Sequence, residues 1–136
     1  MKSTQIGWSE ILNNIVGYYI DLDPKPMMLV VPRHDDAKDY GRKRITPMIN
    51  SCGSLKAKVR EAKSRQGGNT LLLKEFPGGF LKLTGASSGA GLRSDPVPLV
   101  FFDEVEGYPD DVNGEGDPVE IGTRRTDQYP DFKVLK

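Results

Sequence analysis

The chain has 136 residues with 19 basic and 19 acidic side chains, 15 glycines and 10 prolines, which suits one loop-rich domain with a single core rather than a helical bundle. A formal charge of zero gives no overall pull toward nucleic acid, and a single cysteine (Cys52) with a single histidine (His34) excludes a disulfide framework or a Cys/His metal cluster within the chain. The lone cysteine makes a reducing cytosol the expected compartment; no apolar stretch approaches the roughly 20 residues that span a bilayer, and Met1-Lys2 is not followed by a signal-peptide core.

Residues 2–9 (Lys-Ser-Thr-Gln-Ile-Gly-Trp-Ser) run into a stretch from Trp8 to Ile20 where Ile11, Leu12, Ile15, Val16 and Tyr19 recur at helical spacing, which predicts an amphipathic helix. Asp21 to Pro24 ends it. Met27 to Val31 is a continuous apolar run with a proline on each side, the pattern of a buried strand. Asp35 or Asp36 can cap a following helix that extends to about Asn50, with Pro47 bending or interrupting it. Residues 53–69 are rich in Gly, Lys and Arg and read as a surface excursion. Within them, residues 56–65 carry five bases against one acid, a segment that either tracks a phosphate backbone or faces solvent.

Two strand-like runs, 70–75 and 79–84, flank Phe76-Pro77-Gly78 and predict an antiparallel hairpin. Residues 85–95 are small and polar, a loop with room for one helical turn. A strand at 98–102 follows, then a Gly-rich segment in which residues 103–120 carry eight acids and no base. Asp117 and Pro118 suit the N-cap and first position of a helix to about Gln128, and Phe132 to Leu135 closes as a strand. Strands alternating with helices imply an α/β fold, its sheet mostly parallel and sandwiched by helices, with one antiparallel hairpin.

Leu99-Val100-Phe101-Phe102-Asp103-Glu104 is the stretch richest in chemistry. A strand apolar on both faces lies inside a covered sheet, and its end emerges at the carboxyl edge where open α/β folds bind ligands. Two acids there suit a phosphoryl-transfer site, Asp103 holding Mg²⁺ through water and Glu104 polarising an attacking water; a solvated acidic turn has the same pattern. A phosphate-binding loop needs backbone N–H groups at a helix N-terminus, a tight-turn glycine, a cation and a metal-binding hydroxyl. Gly7 and Ser9 stand where G-x-x-x-x-G-K-[ST] places its second glycine and its hydroxyl. Trp8 takes the lysine position and Lys2 that of the first glycine, from which a long side chain can still reach the phosphates. The same residues also fit an ordinary polar start to a helix.

Taken together, these segments resemble the large terminase subunit of tailed bacteriophages, in its GpA or lambda-like branch. Lys2, Ser3, Gly7, Trp8 and Ser9 match that branch's displaced-lysine loop. The resemblance continues through Val30-Val31-Pro32, the Asp-Asp-Ala-Lys-Asp helix, Gly85-Ala86-Ser87-Ser88, Leu92-Arg93-Ser94, Phe102-Asp103-Glu104-Val105, Gly114 to Glu120 and Arg125-Thr126. It covers nearly the whole chain.

The resemblance implies a P-loop NTPase of the additional-strand type and a motor that hydrolyses ATP with Mg²⁺ to drive double-stranded DNA into a capsid. By position, Lys2 would neutralise the β- and γ-phosphates and Ser3, Thr4, Gln5, Ile6, Gly7 and Trp8 would cradle them through backbone N–H groups. Ser9 would ligate Mg²⁺, with Asp103 as Walker B aspartate and Glu104 as catalytic base. Arg93, Arg124 and Arg125 are candidates for sensing the γ-phosphate or for acting on a neighbouring subunit's site. A small terminase subunit, the portal and a homo-oligomeric ring are the implied partners, in the cytoplasm of a bacterial host and without a membrane. Residues 1–136 would then form part of a terminase ATPase domain without its N-terminal strand or the nuclease domain, so weak or no ATP binding by the chain alone is expected. A helicase-like DNA-dependent ATPase and a catalytically silent prophage remnant are the alternatives.

Overall fold

The computed structural model describes residues 2–59, 72–87, 92, 97–112, 114, 116–124 and 133–135, with the backbone alone for 2–9 and 133–135. Helix α1 spans Lys2–Leu22. Its inward residues Leu12, Val16, Tyr19 and Ile20 are buried and recur every three or four positions, the spacing that puts side chains on one face of a helix. Pro24 and Pro26 separate it from strand β1, Met27–Val31, which is buried along its whole length.

Full burial has a topological cause. β1 pairs in parallel with β3 (Gly79–Gly85) on one side and with β4 (Leu99–Phe102) on the other. β2 (Leu73–Phe76) pairs antiparallel with β3, and β5 (Lys133–Leu135) pairs in parallel with β4. The sheet order is therefore β2-β3-β1-β4-β5. Three parallel pairings and one antiparallel hairpin make a mixed, mostly parallel α/β sheet. The hairpin turns through Pro77-Gly78, where Gly78 has φ 93°, a backbone region open to glycine without strain.

Because side chains alternate along a strand, the sheet has two apolar faces. Met27, Leu29, Val31, Leu99 and Phe101 join the cluster beneath α1 and its neighbouring helices. Met28, Val30, Val100 and Phe102 point the other way, into a cluster with Leu92, Val97, Val112 and Ile121. Phe101 and Phe102, consecutive and both fully buried, thus anchor opposite layers, each contributing about 1.5–3 kcal/mol by burial.

The segment after β1 departs from a simple helix. α2 (His34–Tyr40) runs into a π-turn over Gly41–Ile45 and then α3 (Thr46–Ser51). Pro47 lacks the N–H that would bond the fourth carbonyl before it, and its ring crowds that carbonyl. The widened turn, closed by a bond from the Thr46 N–H to the Gly41 carbonyl, accommodates it without breaking the chain's course. Part of the expected surface excursion is a short helix, α4 (Gly53–Lys58), tucked in by buried Leu55 and Val59. α5 (Pro118–Thr123) starts as the sequence predicts, with the Asp117 carboxylate accepting the Val119 N–H at 3.2 Å. The basic run from residue 60 onward and the expected end of that helix at Gln128 lie outside the described residues.

Candidate active site

The carboxyl ends of β1 and β4 lie side by side, and the backbone there is tightly tied. The Val30 carbonyl accepts both the Asp103 N–H at 3.0 Å and the Tyr108 hydroxyl at 2.6 Å. Tyr108 also lies against Phe102, ring centroids 6.4 Å apart. Between these two anchors Asp103 is buried, its Oδ1 accepting the N–H of Glu104 at 3.0 Å. Glu104 is exposed and sits at φ 54°, ψ 47°, in the left-handed region, the one non-glycine residue with positive φ among those described. That conformation is strained for a side chain with a Cβ, and such outliers gather at functional sites.

Beyond the two acids lies a cleft of about 180 Å³. One wall is Val31, Asp103 and Glu104; the other comes from α2 and the π-turn, with Asp36, Asp39, Tyr40, Lys43 and Arg44. This is smaller than the roughly 300–1,000 Å³ of sites that enclose a drug-sized ligand, so it suits a phosphate group with its metal better than a whole nucleotide. Partial desolvation at the cleft, together with the carboxylates of Asp103, Asp36 and Glu106, raises the pKa of Glu104 above the usual glutamate range, and Arg44 opposes that rise. Burial, reinforced by Asp103, also holds the Tyr40 phenol in its protonated form, and its hydroxyl donates to the Asn13 side-chain oxygen at 2.9 Å.

The phosphate loop expected at Lys2–Ser9 is not formed: those residues are the opening turns of α1. Lys and Gln tolerate a helix well, one glycine costs only about 1 kcal/mol, and from Ile6 onward helical bonding satisfies N–H groups that a phosphate cradle would leave open. Glu10, the residue after Ser9, pairs with Arg44 on the cleft wall at 3.4 Å, and Asn13 meets Tyr40 one turn later. The structure thus brings Asp103 and Glu104 together at the sheet edge and sets α1 against the opposite wall of the cleft through Glu10 and Asn13; the side chains of Lys2, Ser3, Thr4, Gln5, Ile6, Gly7, Trp8 and Ser9 lie outside the described ones. Arg124 pairs with Glu120 at 3.9 Å on α5 and does not line the cleft; Arg93 and Arg125 lie outside the described residues.

Lys43 and Arg44 are the residues that sequence reasoning missed. The available signal was Arg42-Lys43-Arg44, three consecutive bases in the helix that follows a buried strand.

A mostly parallel α/β sheet of this kind is a domain of the open-sheet class, and its paired carboxylates stand at the carboxyl edge, where such folds bind ligands. The chain belongs to the family described as "Phage terminase large subunit gpA, ATPase domain", whose model matches residues 1–136. It is 28% identical over 127 residues to the terminase large subunit of Escherichia phage lambda, and likewise 28% identical to that of Enterobacteria phage P21, covering 92% of this chain in each case. It spans only 20% of the length of those relatives. No solved structure matches it. No helix among the described residues is long and apolar enough to cross a membrane.

Proposed function

We propose that this domain hydrolyses Mg-ATP and that hydrolysis drives double-stranded DNA into a phage capsid. The observation that carries it is the Asp103–Glu104 pair at the carboxyl end of a buried parallel strand, in a chain matched over its whole length by a terminase ATPase family. That match favours a packaging motor over a helicase-like ATPase or a silent remnant. A small terminase subunit, a portal and further copies of the chain in a ring are the partners such a motor takes, in the host cytoplasm.

Among the described residues no three potential ligands lie close enough to hold a metal by themselves. Mg²⁺ is commonly held by only one or two carboxylates plus substrate phosphates, so the donor set fits it. Asp103 would hold its water shell and the Ser9 hydroxyl would ligate it. Bound Mg²⁺ would offset charge on the β- and γ-phosphate oxygens. Glu104 would orient a water for in-line attack and accept its proton, a role helped by a pKa raised above the usual glutamate range. Lys2 would pair with the β- and γ-phosphates, and the backbone from Ser3 to Trp8 would cradle them once the opening turns of α1 uncoil. The first four N–H groups of any helix lack an intrahelical partner, so that end yields first.

Glu104→Gln tests the assignment. Phosphate release at saturating Mg-ATP is expected to fall by about 100-fold or more, the usual contribution of a general base, with nucleotide affinity changed by less than about threefold. Unchanged turnover would remove Glu104 from the mechanism.

A further inference from the structure

The cleft has an acidic wall and a cationic one, and the cations are not consumed by the acids around them. Asp36 already pairs with Arg33 at 3.4 Å and Asp39 with Arg42 at 3.4 Å. Lys43, exposed at the cleft, has no ion pair among the described residues. Arg44 stacks over the Tyr40 ring, 5.7 Å from its centroid, and reaches Glu10 at 3.4 Å. The Arg44 and Glu10 side chains are 35% and 65% exposed, which makes theirs a weak, exchangeable pair. The ring beneath the guanidinium is fixed by the bond from the Tyr40 hydroxyl to Asn13, so Arg44 is oriented by its stacking and only lightly held by its counter-ion.

We infer that Arg44, assisted by Lys43, contacts the terminal phosphate of the bound nucleotide from the π-turn side of the cleft, opposite Asp103 and Glu104. This rests on the ATPase function proposed above and adds to it a residue that tells a triphosphate from a diphosphate. The chemistry is that of a planar guanidinium, which meets two phosphate oxygens at once, set across from the carboxylates that would take the metal. A diphosphate ends short of that wall. On contact, Arg44 exchanges Glu10 for phosphate. Glu10 lies one residue beyond Ser9, so the exchange releases α1 at the place where the phosphate loop is proposed.

The test is an NMR titration of the isotope-labelled protein with Mg-ATP, Mg-ADP and Mg-tripolyphosphate up to millimolar concentration, following the arginine Nε–Hε signals and the Asp103 and Glu104 amides. The Arg44 signal, assigned by its loss in Arg44→Lys, is expected to shift with ATP and tripolyphosphate and to stay in place with ADP. Arg44→Gln should lower the ratio of ATP to ADP affinity by about tenfold, and Arg44→Lys by less, because a single ammonium keeps the charge but loses the two-point contact. Lys43→Gln, at an exposed position that does not threaten the fold, should lower the same ratio more modestly. Shifts at Asp103 and Glu104 with an unmoved Arg44 signal and unchanged affinity ratios would overturn the role of Arg44 and leave the ATPase function standing. No shift anywhere with any of the three probes at millimolar concentration, where even the weak binding expected of the chain alone registers, would overturn both.

Discussion

Glu104 carries two burdens at one position: a left-handed backbone at φ 54° and a carboxyl group crowded by Asp103, Asp36 and Glu106. Each disfavours folding, and neither is relieved by an ion pair among the described residues. Left-handed backbone costs a non-glycine residue roughly 1–2 kcal/mol, whereas glycine adopts it freely but loses about 0.4–1 kcal/mol through greater freedom in the unfolded chain. Glu104→Gly should therefore stabilise the protein by up to about 1 kcal/mol, with further gain from removing the charge, while abolishing turnover. Urea denaturation of the two proteins checks it. A glycine variant less stable than the parent would show that the left-handed turn is not strained, since the neighbours it leaves behind, Asp103 and the Val30 carbonyl, keep their own bonds.

At the scale of elements, the strands were the most legible parts. β1 is bracketed by prolines and β4 is apolar at every position, so burial on both faces overrode any ambiguity with a helix. The hairpin was legible from Pro77-Gly78, and the start of α5 from Asp117-Pro118. Two elements were not. The π-turn leaves no periodic trace, because it follows from how Pro47 meets a helix packed through Ile45 and Ile49 onto the core. The opening turns of α1 carry loop-like residues, Ser3, Thr4 and Gly7, that the continuing helix absorbs. That conflict can be measured at Gly7. Alanine there favours the helix by about 1 kcal/mol, a factor of about five, so Gly7→Ala should raise helical circular dichroism and weaken Mg-ATP binding about fivefold if the loop forms by uncoiling. Greater helicity with unaltered binding would mean that the phosphates are held elsewhere.

For the whole molecule, the cleft exists only because two layers meet at one sheet edge: β1 and β4 end in the acidic wall, while α2 and the π-turn bring the cationic wall across them. The contact that sets their spacing is Gly85, the last residue of β3. A Cβ there would lie 2.5 Å from the backbone nitrogen of His34 and 2.6 Å from the Arg33 carbonyl carbon, so α2 starts as close to the sheet as backbone permits. Backbone cannot rotate aside as a side chain can, and overpacking of this kind typically costs about 1–3 kcal/mol. Gly85→Ala should lower stability by that amount in urea denaturation and push α2 outward, separating Arg44 from Asp103 and Glu104. Gly53→Ala supplies the contrast, since nothing lies within 4 Å of its Cβ position and it opens α4. It should leave stability unchanged or raise it by up to about 1 kcal/mol. Nucleotide binding separates the two effects: a shifted α2 weakens the ATP preference assigned to Arg44 even at temperatures where Gly85→Ala is fully folded, whereas Gly53→Ala leaves it intact. Equal ATP preference in both folded variants would mean that the cationic wall is not positioned by the contact between β3 and α2.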